Sequence, residues 1–400
     1  MLKDRNIVLG VTGGIAAYKS AELVRELVRA GARVHVAMTR SAQAFVTPLT
    51  FQTLSGNPVI TELFSLVEES EIGHISLADK AEVLVIAPAT ANIIGKIAGG
   101  IADDMLTTIV MATQAPVLVA PAMNVHMWEN AGCQENIQRL RSRGFHFIDP
   151  ESGELACGYE GKGRLAEVSS IVEAIRALLS PQDFVRETVL ITAGPTEESI
   201  DPVRFITNRS SGKMGFALAY AALRRGAEVI LISGPTALPP PPRGKWISVR
   251  STAQMREAVL TNLKNASILM MAAAVSDYRP RQASARKIKK SEAEMVLTLE
   301  RNPDILAEAG KQKGHRILVG FAAETENLLR NARSKLEGKN LDLIVANDVT
   351  LPGAGFEADT NIVKILDRSR KMEELPLMTK EELADRILDR VAQLKKSGGP

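Results

Sequence analysis

The chain has 400 residues, 45% of them hydrophobic, enough for two or three domains with ordinary cores. Lys plus Arg total 49 against 46 Asp plus Glu, a net charge of +3, which gives no electrostatic case for a nucleic-acid partner. No apolar run reaches about 18 residues, the opening MLKDRNIVLGVTGG lacks a signal-peptide core, and Cys133 and Cys157 form no CxxC pair. A membrane span, a disulfide framework and a zinc cluster are therefore not expected, and a cytoplasmic protein is.

The first element, NIVLGV, reads as a β-branched strand; TGG turns it, and IAAYKSAELVRELVRA has helical periodicity ending at Gly31. RVHVAM is the next strand, completing a βαβ unit. EVLVIAP, APVLVAP and FHFID follow as strands with helical stretches between them, and such alternation predicts a parallel, doubly wound sheet. Ser180-Pro181 breaks the periodicity, and the pattern restarts at TVLITAG (188–194). A long polar loop precedes the helix KMGFALAYAALRRG; EVILISG, ILMMAAA, ILVGFAAE, LDLIVAND and NIVKIL are the later strands. The expected fold is α/β, with two doubly wound parallel-sheet domains over 1–180 and 186–400. LPPPPRG (238–244) reads as a stiff surface loop.

The turn GVTGGIAAYK offers free backbone N–H groups at the positive end of a helix dipole, an environment suited to a phosphate. Its glycines, Gly10, Gly13 and Gly14, do not make GxGxxG, so a mononucleotide fits better than a dinucleotide. Thr39 and Ser41 stand just beyond the second strand, and PATAN places Thr90 and Asn92 beyond another, where an open parallel sheet gathers its ligand. PAMNVHMW ends a strand in Asn124, an amide that donates hydrogen bonds to a carboxylate without adding repulsive charge. Met123 and Trp128 are expected as apolar walls of that pocket, with His126 and Met127 packed away. In the second half, SSGKMG lacks the first glycine of a P-loop and has Met214 where Ser or Thr belongs, yet it puts Lys213 at a helix N-terminus.

GIAAYK, the His of EIGHISLA, PATAN, PAMNxxMW and ACGYEGKGR together resemble the flavin-dependent cysteine decarboxylases. Nearly all 400 residues resemble the bifunctional bacterial phosphopantothenoylcysteine decarboxylase/phosphopantothenate–cysteine ligases, the second half through AGPTEESIDPVRFITNRSSGKMG, AAAVSDYRP, RKIKK, NPDIL and GFAAET. The resemblance implies an N-terminal flavodoxin/Rossmann-like flavoprotein and a C-terminal Rossmann-like ligase. It implies FMN against Gly13, Gly14, Ile15, Thr39, Thr90 and Asn92, with His74, Asn124 and Cys157 as the decarboxylase's working residues. Cys157 would serve as a proton donor from a Gly-rich lid; Cys133 matches nothing and is read as structural. For the ligase it implies CTP activation of the phosphopantothenate carboxyl with Mg²⁺, then displacement of CMP by the amine of cysteine. CTP is expected on Ala272, Ala273, Ala274, Asp277, Lys287, Pro303, Asp304, Ile305, Leu306, Phe321, Lys335 and Lys339, with Asp277 also the Mg²⁺ candidate, and Asn208 and Arg204 at the acyl centre. The expected partners are small molecules, with trimeric decarboxylase contacts and dimeric ligase contacts in a homo-oligomer.

Two other readings compete. An NAD(P) oxidoreductase requires GxGxxG with an acidic residue about 20 positions on, and neither half has it. A non-catalytic flavin-binding protein predicts the loss of His74, Asn124 or Cys157, and all three are present.

Overall fold

The computed structural model describes residues 2–63, 73–154, 160–241, 243–289, 295–324, 326–348, 358–369 and 371–397. They form two compact units, 1–180 and 181–400.

In the first unit the order is β1 (Asn6–Val11), α1 (Ala17–Arg29), β2 (Arg33–Met38), α2 (Pro48–Ser55), β3 (Val59–Ile60), α3 (Gly73–Lys80), β4 (Val83–Ala89), α4 (Ala91–Gly99), α5 (Met105–Ala112), β5 (Val117–Pro121), α6 (Val125–Glu129), α7 (Ala131–Ser142), β6 (His146–Phe147), β7 (Glu151–Glu154), β8 (Glu160–Arg164) and α8 (Val168–Leu178). Six strands pair in the order β3-β2-β1-β4-β5-β6, every pair parallel. Along β1 the side chains alternate between two cores, Ile7, Leu9 and Val11 on one face and Val8 on the other. A strand buried on both faces reads as a continuous apolar run, which is why NIVLGV shows no polar alternation. Helix α1 forms because Ala17, Ser20, Leu23, Val24 and Leu27 fall on one buried stripe. Gly31, at φ +85, ends it in the left-handed conformation. Leu27 is fully buried, so Leu27→Ala would cost about 2–5 kcal/mol.

The second unit runs β9 (Thr188–Ala193), β10 (Glu197–Ser199), β11 (Phe205–Thr207), α9 (Lys213–Arg224), β12 (Glu228–Ser233), β13 (Lys245–Ser248), α10 (Thr252–Leu263), β14 (Ile268–Met271), β15 (Tyr278–Pro280), β16 (Leu299–Arg301), α11 (Ile305–Lys311), β17 (Ile317–Glu324), α12 (Leu328–Gly338), β18 (Leu343–Asp348), β19 (Thr360–Asp367), β20 (Met372–Thr379) and α13 (Lys380–Ser397). Its large sheet has the order β13-β12-β9-β14-β17-β18-β19-β20. The first six strands are parallel, but β18–β19 and β19–β20 pair antiparallel. The expected all-parallel sheet is thus corrected at one edge. NIVKIL returns as one arm of a hairpin whose other arm, β20, buries only Leu375 and so carries little strand signal.

Residues just before 186 belong with the second unit. Phe184 is fully buried in its core, with the Arg225 guanidinium 5.0 Å from the ring centroid. Arg225 also reaches Asp183 at 2.6 Å and Asp389 at 2.8 Å. The expected boundary at 186 would leave this anchor behind.

Candidate functional site

In the first unit a cavity of about 1100 Å³ opens where β1, β2, β4 and β5 end. Strand order changes direction between β1 and β4, the place where open α/β sheets bind ligands. The turn 12–16 is tied across that gap: Thr12 Oγ1 donates to Pro88 O at 2.7 Å, and Thr90 N donates back to Thr12 Oγ1 at 3.2 Å. A Cβ on Gly13 would stand 2.4 Å from Ser41 Cβ, so only glycine lets the turn lie against the β2 loop. Gly13, Gly14, Ile15, Thr39, Ser41, Thr90 and Asn92 all line the cavity. Thr39 Oγ1 accepts from Ala42 N and Thr90 Oγ1 caps α4 by accepting from Ile93 N. Each hydroxyl thereby keeps its own proton to donate.

PAMNVHMW closes the cavity from the end of β5. Met123, Asn124 and Met127 line it. Asn124 Oδ1 caps the short α6 by accepting from His126 N at 2.8 Å, which orients the carboxamide. Trp128 does not form a wall as expected: it is 8% exposed and packs into the core, with Lys162 Nζ 5.5 Å from its ring. Met127, expected to pack, is the residue left at the cavity. A helical turn explains the exchange, because Val125 and Trp128 share the buried side of α6. Cys133 is buried behind Met123, its Sγ 3.7 Å from Met123 Sδ, and burial pushes its thiol pKa up.

The Gly-rich segment is partly strand. β7 and β8 form an antiparallel hairpin, and Met123 N donates to Gly163 O at 3.0 Å. A Cβ on Gly163 would lie 2.3 Å from Met123 O, so the glycine allows direct backbone docking on PAMN. Cys157 and the His74 side chain lie outside the described residues. Lys19, Arg40, Lys96, Asp104 and Arg164 also line the cavity and were not anticipated. Of these only Asp104 had a local signal: DDMLT forms a capping box between Asp104 and Thr107. Lys96 holds Asp103 at 2.7 Å and Asp104 at 3.3 Å, and these carboxylates, Asp103 first, raise its pKa.

The second unit has a cavity of about 590 Å³ past the ends of β14, β17 and β18, beside the start of α9. It brings together Asn208, Ala272, Ala273, Ala274, Asp277, Pro303, Asp304, Ile305, Leu306, Phe321, Lys335 and Lys339, together with Lys213 at the start of α9. Gly215 packs α9 onto β9, where a Cβ would meet Ala193 Cβ at 2.5 Å. Asn208 Nδ2 donates to Val275 O at 3.0 Å, tying its loop to the AAAV segment. Asp304 caps α11 through Ala307 N and pairs with Lys339 at 2.8 Å. Burial opposes its ionisation, but Lys339 and the backbone donors hold its carboxyl below the ordinary aspartate value. Among the described residues no group of three or more His, Cys, Asp or Glu side chains could cage a metal.

Two expected members stay outside this cavity. Arg204 Nη2 donates to Ile288 O at 2.6 Å and its Nε lies 3.5 Å from Asp201. Lys287 is exposed on the neighbouring loop. Asp201, buried and not anticipated, organises both segments: its carboxylate accepts from Val203 N, Arg204 N and Ile288 N. Asn302, Asn347, Asn361 and Lys380 line the cavity as further polar residues.

Each unit is a doubly wound α/β domain with a crevice at its strand ends, one floored by a glycine turn and hydroxyls and the other lined by lysines, which makes this a two-site α/β protein. Residues 1–180 match the Flavoprotein family, and residues 184–394 match the DNA/pantothenate metabolism flavoprotein C-terminal domain. The chain is 52% identical to the coenzyme A biosynthesis bifunctional protein CoaBC of Bacillus subtilis (strain 168), over 100% of this chain and 99% of that protein. It is 47% identical to the protein of the same name from Escherichia coli (strain K12), over 98% and 97%. A crystal structure of the C-terminal domain of a CoaBC protein matches at 43% identity and TM-score 0.47, covering 54% of this chain and 99% of that one. The chain belongs to the family of coenzyme A biosynthesis bifunctional proteins. Among the described residues no helix is long and apolar enough to cross a membrane.

Proposed function

We propose that this chain joins cysteine to 4′-phosphopantothenate at the expense of CTP and then decarboxylates the product to 4′-phosphopantetheine with FMN. The observation that carries this reading is the match of the whole chain, both units together, to bifunctional relatives at 47% and 52% identity. We assign the decarboxylase to 1–180 and the ligase to the remainder, expected from 186; the compact units 1–180 and 181–400 support this division, with residues 181–185 added to the ligase side.

FMN suits the first crevice on the chemistry of its donors: a glycine turn, the start of a helix and the hydroxyls of Thr39, Ser41 and Thr90 offer protons to a phosphate within about 1100 Å³. When bound, the flavin supplies the two-electron redox chemistry that makes the cysteinyl carboxylate a leaving group. Asn124 orients that carboxylate by hydrogen bonding, while Met123 and Met127 give the pocket apolar walls. His74 assists thiol oxidation or decarboxylation. Cys157 returns a proton, since an ordinary cysteine thiol is mostly protonated at neutral pH.

In the second crevice the lysines offset polyphosphate charge, and Ala272 to Ala274 leave room for a base. With Asp277 and the Lys339-paired Asp304 lining that crevice, and no cage of three or more such ligands among the described residues, Mg²⁺ fits as an ion carried by the nucleotide phosphates, with Asp277 as its candidate protein contact. Asn208 supports the acyl centre, and Arg204 holds the adjoining loop. The resemblance implies trimeric decarboxylase and dimeric ligase contacts; Ile15, Tyr18 and Leu49 in the first unit, and Val203, Phe205 and Tyr278 in the second, are exposed apolar side chains available to such contacts. A cytoplasmic location agrees with these substrates.

The test is incubation with phosphopantothenate, cysteine, CTP and Mg²⁺, following pyrophosphate, CO₂ and phosphopantetheine. Pyrophosphate without CO₂ would leave only the ligase; no CTP-dependent pyrophosphate would refute the ligase half.

A further inference from the structure

The edge hairpin β19–β20 and helix α13 are additions to the six-stranded pattern, yet they reach the second crevice. β19 runs antiparallel, so its first residues lie at the same sheet edge as the ends of β17 and β18, and α13 starts there too. Thr379 caps α13 reciprocally with Glu382, which fixes Lys380 as its first helical residue. Lys380 is 6% exposed, lines the crevice, and donates through Nζ to Ala358 O. Lys213, the first residue of α9, lines the same crevice and pairs with Asp359 at 2.6 Å. Two lysines thus lead two helices into one cavity, with the carboxylate of Asp359, 85% exposed, beside them. Burial first, then the charge of Lys213, pulls the Lys380 ammonium below the ordinary lysine pKa, while Asp359 opposes this. Asn361, 7% exposed, lines the cavity beside them, and its carboxamide oxygen has no hydrogen-bond partner among the described residues.

A buried ammonium next to a second ammonium is electrostatically poor unless an anion joins them, and here the exposed Asp359 carboxylate fills that place. We propose that Lys380 and Lys213 form a phosphate clasp in the ligase crevice, in which Asp359 stands in for the phosphate until substrate arrives. Lys213 exchanges the exposed carboxylate for a phosphate oxygen, and Lys380 supplies the second charge from a fixed position. The exchange loses little, because an exposed ion pair is weak. The phosphate belongs either to the nucleotide polyphosphate or to the phosphomonoester of the acyl substrate. This inference rests on the ligase reading of the crevice and assigns it a further binding residue.

The test is calorimetric binding to the full chain of inorganic tripolyphosphate and, separately, of phosphopantothenate, neither of which needs turnover. Lys380→Gln is expected to weaken binding of one of them by about ten- to hundredfold, the worth of a charged hydrogen bond. The ligand that loses affinity identifies the source of the phosphate. Lys380→Arg should retain most of the affinity, and Asp359→Asn should tighten it, a gain that no merely structural role produces. The decarboxylation of supplied phosphopantothenoylcysteine should be unchanged in all three. Unchanged binding of both ligands in Lys380→Gln would overturn the clasp. If that variant fails to fold, unchanged or weaker binding in Asp359→Asn overturns it instead. Failure of the ligase reading would look different: the parent chain would bind tripolyphosphate yet form no pyrophosphate from CTP.

Discussion

The two units use the same strand order with different openings. In the first, β3-β2-β1-β4-β5-β6 places β1 at the centre; in the second, β13-β12-β9-β14-β17-β18 repeats that order with β9 at the centre. Between β1 and α1 stand only residues 12–16, whereas residues 194–212, with the hairpin β10–β11, separate β9 from α9. A short turn can offer a ligand little but backbone N–H groups and small side chains. A long insertion can carry its own amide, cations and anchoring carboxylate, here Asn208, Arg204 and Asp201. The difference teaches that one sheet topology sets where a ligand sits, while the length of the first crossover sets how much side-chain chemistry arrives with it.

The sharpest way to separate the two crevices is Asn124→Asp. Asp caps a helix as well as Asn, so α6 and the flavin site should survive. The change adds a negative charge beside a substrate carboxylate and removes two donors. Two unit charges about 4 Å apart at an effective dielectric near 20 repel by roughly 4 kcal/mol, on the order of a thousandfold in rate. The variant should stay yellow, keep ligase activity and release almost no CO₂. Decarboxylation near the parent rate would reduce PAMNVHMW to a structural turn.

Asn208→Ala is the counterpart in the second unit. Losing one donor at an acyl centre costs about 3 kcal/mol, on the order of a hundredfold in ligation. The lost bond to Val275 O would also loosen the AAAV segment, which acts in the same direction. CO₂ release from supplied phosphopantothenoylcysteine should be nearly unchanged. Equal loss of both activities would show that Asn208 acts through folding.

Much of this was legible because buried parallel strands are continuous apolar runs and the helices between them are amphipathic. NIVLGV and TVLITAG could hardly be anything else. The edge hairpin was not, since β20 contains Pro376 and exposes most of its length, as an edge strand can. Lys380 and Asn361 were missed for the same reason: only the antiparallel return of β19 brings them to the crevice. Trp128 was misplaced because the phase of the five-residue helix α6, not residue type, decides which side faces the cavity. Asn208 and Asp304, named from quoted motifs, line the crevice, while Arg204 and Lys287, named from motifs as well, lie outside it.

Glycine substitutions probe close packing in the first unit at a smaller scale. Gly13→Ala would force a Cβ to within 2.4 Å of Ser41 Cβ and 2.8 Å of its carbonyl carbon, whereas Gly14→Ala meets nothing nearer than Thr90 Cγ2 at 3.8 Å. The first should cost about 1–3 kcal/mol and flavin occupancy, leaving the ligase intact. The second should bind flavin as the parent does, read by absorbance after gel filtration. Equal flavin loss in both would mean that the helix N-terminus, not the contact with Ser41, was disturbed.

The smallest expected effect is an acid limit on the ligase crevice set by Asp201. Burial opposes ionisation of its carboxyl, but the N–H groups of Val203, Ile288 and Arg204, with the Arg204 charge, hold its pKa below the ordinary aspartate value. A carboxyl with a lowered folded pKa contributes fully above the unfolded value, about 3.9, and loses that contribution only as pH falls through the lower folded value. Between pH 5 and 8 (roughly the working range) Asp201 should therefore add no pH dependence. Asp201→Asn keeps one acceptor oxygen for Val203 N and Arg204 N, but turns an N–H donor toward Ile288 N. The variant should raise KM for the acyl substrate modestly at neutral pH and make ligase loss in acid less steep, with flavin retention unchanged. A parent-like acid profile in Asp201→Asn would show that this carboxylate does not hold the 281–289 loop beside the crevice.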